Sequence, residues 1–452
     1  MKFHFLLLTL LIFPAPAMAE INTLEQALAL AYLHDPGLEA ERAKLRATDE
    51  QVSEALSNYR PSIDATGEAG ETRQNIADGG FFSGDNRLKP RDAGVSITQP
   101  VFRGLRTKGS VDSAKAAAKA GGAALEEAEQ QLLLDSAKAY LDVVQAQDLV
   151  EINEKNVAAL KQELAITRSR FRIGDLKKTD VNQAESRFKM GDIARLQALS
   201  ELRNKRVTFS RLVGEMPGIL NPPKLQLDQP MTIEDAIAMA QENNPTVIAA
   251  DYTQKVARAD VKVAEGSLLP EINIVGSANR GKDETTEIPQ RQDNLSIMAK
   301  MTVPLYRSGT DYAKTRAAKQ TVTQREMELR DARNKAEEKA RTAWQTLMTA
   351  REAISGNQEA LEATDKALYG VKEEAKVGTR TTLDVLNAEQ ELLNARTSLV
   401  KAVHDEAVAL LQVKAAIGVL TAQALKLPVD IYDPTVNYNK ARNKWAGLDI
   451  AD

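Results

Sequence analysis

Residues 94–103 read Gly-Val-Ser-Ile-Thr-Gln-Pro-Val-Phe-Arg, and their reading decides the fold. Val95, Ile97, Gln99 and Val101 fall on one side of an extended chain, opposite Gly94, Ser96 and Thr98. A period of two with an apolar and a polar face is the pattern of a strand set between two media. Working backward, Ile63, Ala65, Gly67 and Ala69 alternate with Ser62, Asp64, Thr66 and Glu68. Far downstream, Ile272 and Ile274 flank Asn273, and Leu295, Ile297, Ala299, Met301 and Val303 alternate with Ser296, Met298, Lys300 and Thr302. The chain therefore carries two hairpins, at 62–102 and 271–303, with Gly-, Asp-, Asn- and Arg-rich loops near 71–90 and 281–292. A proline stands at the strand–helix borders, where no ladder donor is needed.

The chain is written twice. Pro100-Val101-Phe102-Arg103 returns 204 residues later as Pro304-Leu305-Tyr306-Arg307, and the offset persists through Gly174 and Gly378, Asp180-Val181 and Asp384-Val385, and Gly214 and Gly418. Upstream of the strands the offset is 209, as in Thr23-Leu24-Glu25-Gln26-Ala27 against Thr232-Ile233-Glu234-Asp235-Ala236. A collinear series with one gap is a duplication. The expected frame is an export signal over 1–19 and a first repeat over 20–231. That repeat is read as helix 24–58, hairpin 62–102, long helix 105–172, returning helix 180–214 and linker 216–231. The second repeat, 232–419, is read as helix 233–267, hairpin 271–303, long helix 309–376 and returning helix 382–418, followed by a tail over 420–452. Heptad spacing (Val150, Val157, Leu164, Phe171; Ile354, Leu361, Leu368, Ala375) predicts that the long helices pack along their length. Val403, Leu410 and Ile417 extend the same spacing. Gly174 and Gly378 stand where the long helices must end.

Composition agrees. Of 452 residues, 27% are charged and only 4% aromatic, the balance of long helices and not of a ring-filled enzyme core. A net charge of −4 gives no electrostatic case for nucleic acid. The absence of cysteine excludes disulfides, thiolate metal sites, a cysteine nucleophile and a lipid-modified cysteine. Gly79-Gly80 and Gly121-Gly122 lack the Lys-Ser/Thr of a phosphate-binding loop, and the three histidines give no catalytic or metal constellation. His34 and His404 are expected to be solvated helix residues, and Tyr140, Trp344, Phe171 and Phe188 to be packing residues. Phe81-Phe82 is a loop pair with three readings: contact with a membrane leaflet, cover for a barrel mouth, or a local anchor of its loop. No catalytic residue and no cofactor are assigned.

Lys2, the apolar run from Phe5 to Phe13 and Ala17-Met18-Ala19 form a cleavable export signal. If an exported chain with amphipathic strands sits in a membrane, it does so as a β-barrel, but four strands cannot close a barrel and open edges are excluded from lipid. Copies must share one barrel. Three give twelve strands, while two or four also satisfy closure.

The run Ala375-Lys376-Val377-Gly378-Thr379-Arg380-Thr381-Thr382-Leu383-Asp384-Val385-Leu386-Asn387-Ala388, followed by Leu393-Asn394-Ala395-Arg396, resembles the TolC family of outer-membrane channel-tunnels. Its first-half echo Arg170-Phe171-Arg172-Ile173-Gly174 with Thr179-Asp180-Val181, and Leu269-Pro270-Glu271-Ile272, resemble the same family. The resemblance implies a homotrimer with a 12-stranded outer-membrane β-barrel and a long periplasmic α-helical barrel. It implies work with a periplasmic adaptor (membrane fusion) protein and an inner-membrane ABC or RND-type pump, in type I protein secretion, drug efflux or both. The tail around Tyr438 and Trp445 looks like that of members serving type I secretion. By the same resemblance, Arg380 bonds to Thr179 and Asp180 to hold the tip closed, and the positions of Asp384 and Asn387 ring the pore constriction, with one acidic ring kept and one neutral. A capping box with Thr381 is the other reading of Asp384. The competing class, a periplasmic coiled-coil adaptor or structural coiled coil, does not account for two proline-bracketed strand pairs in a duplicated frame.

Overall fold

The computed structural model describes residues 21–76, 84–225, 232–282 and 291–450; the export signal and Phe81-Phe82 lie outside them. The first repeat runs α1 (Leu24–His34), α2 (Pro36–Ser57), β1 (Ser62–Ala69), β2 (Thr72–Ile76), β3 (Gly84–Leu88), β4 (Arg91–Arg103), α3 (Arg106–Arg172) and α4 (Lys178–Val213). The second runs α5 (Ile233–Asn243), α6 (Pro245–Gly266), β5 (Glu271–Lys282), β6 (Arg291–Thr302), α7 (Thr310–Lys376) and α8 (Thr382–Ala416), and α9 (Pro434–Asn443) lies in the tail.

Two expectations need correction. The stretches 24–58 and 233–267 are not single helices: each breaks at a residue that ends one helix and caps the next. Asp35 accepts a hydrogen bond from the Leu38 amide at 2.7 Å, and Asn244 accepts one from the Thr246 amide at 3.0 Å. Pro36 and Pro245 follow, and a proline pushes the residue before it out of helical geometry. The stretch 71–90 is not all loop, because β2 and β3 pair antiparallel within it. It carries no apolar face to reveal a strand.

β1, β4, β5 and β6 form one antiparallel sheet in that order. Its register places Ile63 opposite Ile97, Ile97 opposite Gly276 and Gly276 opposite Ile297 on one face. Asp64, Ser96, Ser277 and Ser296 form the corresponding rung of the other face, where Ser277 Oγ and Ser296 Oγ lie 2.8 Å apart. A bulge at Val101 resets β4, so that Arg103 stands opposite Glu271. Among the described residues nothing covers the apolar face: Leu295 and Ile297 are each 80% exposed.

Sheet and helices meet in a tight joint. Gly104, at φ 61°, and Gly266 approach so closely that a Cβ on either collides with the other's carbonyl oxygen. Arg106 is bonded to Glu271 at 2.5 Å across the same joint, and Gln99 donates to the Tyr59 carbonyl at 3.1 Å.

Each long helix has 67 residues, about 100 Å. Near the sheet α3 packs between α2 and α6; beyond them it packs on α4 and α8. α4 and α8 run back along α3 and α7. Where upper and lower packing meet, α1 and the tail bury Tyr140, Phe209, Leu133 and Leu420 in the largest core. The Tyr140 hydroxyl lies 2.9 Å from the Asn22 carbonyl and 2.7 Å from that of Asn221, tying the segment before α1 to the inter-repeat linker. On the heptad stripe Val150 and Leu164 are buried, but Val403 is half exposed.

Candidate functional site: the helical tip

Both long helices end at a glycine with positive φ, 85° at Gly174 and 83° at Gly378, and the chain turns back within a few residues. Equal helix lengths bring the two turns to the same distance from the sheet, so Thr179, Asp180, Arg380, Asp384 and Asn387 gather at one end of the molecule.

Their bonds differ from the expected set. Arg380 Nε donates to Glu374 Oε2 at 2.8 Å, on its own hairpin. That carboxylate, with Asp384 behind it, raises the Arg380 guanidinium pKa. Asp180 Oδ2 accepts from the Lys177 amide at 2.9 Å and so caps α4. Within one chain, Arg380 and Asp180 thus bond locally, inside separate hairpins. Asp384 Oδ2 accepts from both the Thr381 amide and hydroxyl at 2.8 Å, and the Asp384 amide donates to Thr381 Oγ1 at 3.2 Å. These bonds, more than the nearby Arg380, lower the Asp384 pKa. The capping box is real, and the carboxylate stays ionised at the exposed tip.

Asn387 does not stand alone: Arg187 Nη2, on α4, donates to its Oδ1 at 3.0 Å and ties the two hairpins together. Deeper in, Leu160, Leu164, Ala184 and Leu386 form a small apolar core. Beside it Glu389, 6% exposed, pairs with Lys372 at 3.0 Å. Burial, then repulsion from Glu389, raises the pKa of Glu163. Neither Arg187 nor Glu374 could be picked from sequence. Each is one of many charged helix residues until packing selects its partner.

Closer to the central core, His404 corrects another expectation. Its side chain is only 13% exposed, and its ring is held between Asp142 (Nε2 to Oδ1, 2.8 Å) and Asp405 (Nδ1 to Oδ1, 3.1 Å). Lys205 Nζ lies 3.1 Å from the other Asp142 oxygen, so α3, α4 and α8 meet through one polar cluster. Burial alone would lower the His404 pKa, but the two carboxylates outweigh it and raise it. Burial pushes Asp142 up, and its bonds to His404 and Lys205 outweigh that and lower it.

The duplicated frame, the amphipathic sheet and the paired helical hairpins have a counterpart among known proteins. Residues 27–215 and 236–419 match the model described as "Outer membrane efflux protein". The chain belongs to the outer membrane efflux protein family. The outer membrane efflux protein BepC of Brucella suis biovar 1 is 33% identical over 431 residues, 95% of this chain and 93% of that protein. The outer membrane protein TolC of Vibrio cholerae is 26% identical over 403 residues, 86% of this chain and 89% of its own length. Among solved structures, the Campylobacter jejuni CmeC outer membrane channel superposes with a TM-score of 0.79 at 15% identity, covering 93% of this chain and 89% of that one. Members of the efflux family are outer-membrane channels and not enzymes, and this chain is one of them. The protein belongs to the outer membrane and extends into the periplasm.

Proposed function

We propose that three copies of the chain build one passive exit duct, with a 12-stranded barrel in the outer membrane and a helical tunnel below it. The observation that carries this reading is the sheet itself. Its four strands leave β1 and β6 as open edges, and its apolar face is bare. Lipid tolerates neither an unpaired edge nor a barrel of four strands, and sharing among three copies removes both defects. Among the described residues, no helix is long and apolar enough to cross a membrane.

In this reading the tip is the periplasmic gate. Three copies of Arg380, Thr179 and Asp180 surround the entrance, and Asp384 and Asn387 line its constriction. A periplasmic adaptor and an inner-membrane ABC or RND-type pump open it, and the cargo is exported protein, small toxic molecules or both. The family name and the relative called an efflux protein support export in general.

Amine crosslinking of the detergent-extracted protein tests the assembly. The ladder should end at three subunits. A ladder that ends at one or two overturns the reading.

A further inference from the structure

The segment after α9 lies outside the sheet and the long helices. α9 lies along α2 and runs toward the sheet: Asn437 Nδ2 bonds Asp49 at 2.8 Å, and further on the Lys444 carbonyl accepts from Ser53 Oγ at 3.2 Å and Arg60 Nη1 at 2.9 Å. Trp445 then stacks on the Arg60 guanidinium, 4.6 Å from carbon to ring centre. Arg60 stands two residues before β1, and its neighbour Tyr59 is bonded through its carbonyl to Gln99 of β4. Trp445 is therefore held at the height where strands give way to helices.

It is also bare. Trp445 is 73% exposed, Leu448 fully exposed and Ile450 85% exposed. Tyr59, Leu305 and Tyr306, at the same strand–helix border, are exposed as well. The strands whose apolar residues are uncovered begin or end at this border, with Ile63 of β1 and Met301 of β6 both exposed. Cations stand beside it in Arg60, Arg442 and Lys444, while Glu50 and Glu54 line the groove on the side away from the sheet. A ring with a polar edge, exposed aliphatic side chains and neighbouring cations is the chemistry of the zone between lipid tails and phosphate headgroups.

We propose that residues 445–450 are a lipid contact, docking on the periplasmic leaflet of the outer membrane and fixing the depth of the barrel. The occupant is phospholipid, because exposed apolar side chains stand with cations at the border where the amphipathic strands begin. The proposal rests on the embedded barrel.

The test uses the full chain in vesicles of phosphatidylethanolamine and phosphatidylglycerol, with or without bromine on the acyl chains near the headgroup. Wild type and Trp445→Phe both keep Trp344, which lies on α7 away from the sheet. Brominated lipid should remove more emission from wild type than from Trp445→Phe. Equal losses overturn the proposal, including the case where a second copy covers the tail. A Leu295→Trp change in the Trp445→Phe background reports on the barrel separately. If that tryptophan is quenched and Trp445 is not, only the tail reading fails; if neither is quenched, the embedded barrel fails and the tail reading with it. The chain has no cysteine, so Leu448→Cys carrying a fluorescent label gives a second reading that leaves Trp445 in place. Its emission should also drop in brominated vesicles, and an unchanged signal counts against lipid contact.

Discussion

Placing lysine at Ile297 and, separately, at Ser296 sets two neighbouring positions of one strand against each other. Ile297 is five residues from Thr302, the end of β6 nearest the helices. That is about 17 Å of strand at ~3.4 Å per residue. A tilt of roughly 35–45° turns this into about 13 Å of depth, near the middle of an apolar band about 25 Å tall. A lysine facing lipid there costs ~2–4 kcal/mol per chain, or about 6–12 kcal/mol over a trimer whose barrel forms as a unit. Ser296 lies on the opposite face, bonded to Ser277. Its replacement loses one hydrogen bond, ~0.5–1.5 kcal/mol, and places the ammonium in water. Refolding into vesicles, followed by urea titration and by the heat-dependent shift of the trimer on gels, reads the difference. Ile297→Lys should lose most trimer and Ser296→Lys little. Equal losses at the two positions would refute a barrel with lipid on the Ile297 face.

The polar cluster at His404 predicts a pH effect of known sign. A histidine whose pKa is raised on folding adds stability that is fully present below its ordinary value of 6.5 and lost as pH rises through the folded value, while Asp142, lowered from 3.8, loses its share only as pH falls through its own lower value. Thermal unfolding should thus show wild type losing stability above about pH 6.5, with His404→Gln flatter and weaker by ~1–3 kcal/mol at pH 6; parallel curves would mean the cluster does not titrate. At the tip, Arg380→Ser combined with Asp180→Ala should raise single-channel conductance in planar bilayers and sensitise cells to large antibiotics, whereas unchanged conductance at normal trimer levels would reduce these residues to helix caps. Gly104→Ala puts a methyl against the Gly266 carbonyl at a positive φ, so trimer yield should fall sharply, and a normal yield would show that the joint can open.

What could be read in the chain was whatever repeats along it. The alternation at 94–103 is a property of consecutive residues, and so are the heptads that run to Gly174 and Gly378. The breaks at Asp35-Pro36 and Asn244-Pro245 were written just as locally, but each sits inside a stretch whose apolar spacing reads as helix on both sides. β2 and β3 escaped because a ladder of polar residues outside a core leaves no period to see. At the tip, position along the helix was legible and partnership was not. Asn387 and Arg187 are 200 residues apart, and His404 and Asp142 are 262 apart. Neither sequence neighbourhood carries a sign of the other.

The duplication also explains an imbalance between the halves. α3 and α7 are repeat-related and equal in length, yet α3 buries 23 residues and α7 only 9. The difference follows from position. α3 has neighbours on both sides along its length, α2 and α6 near the sheet and α4 and α8 beyond them. α7 packs on α6 and α8, with α5 near its middle, and its outer flank is open. In the sheet the edge strands are β1, which follows α2, and β6, which leads into α7. The open flank of the helices and the open edge of the sheet therefore lie at the same two ends of the protomer. One rotation that sets β6 against the β1 of the next copy also sets α7 beside the next α2. A chain of this kind needs no separate interface for its barrel and its tunnel. A substitution that blocks α7 packing, such as a bulky charge on its bare flank, should then weaken strand closure in the membrane as well.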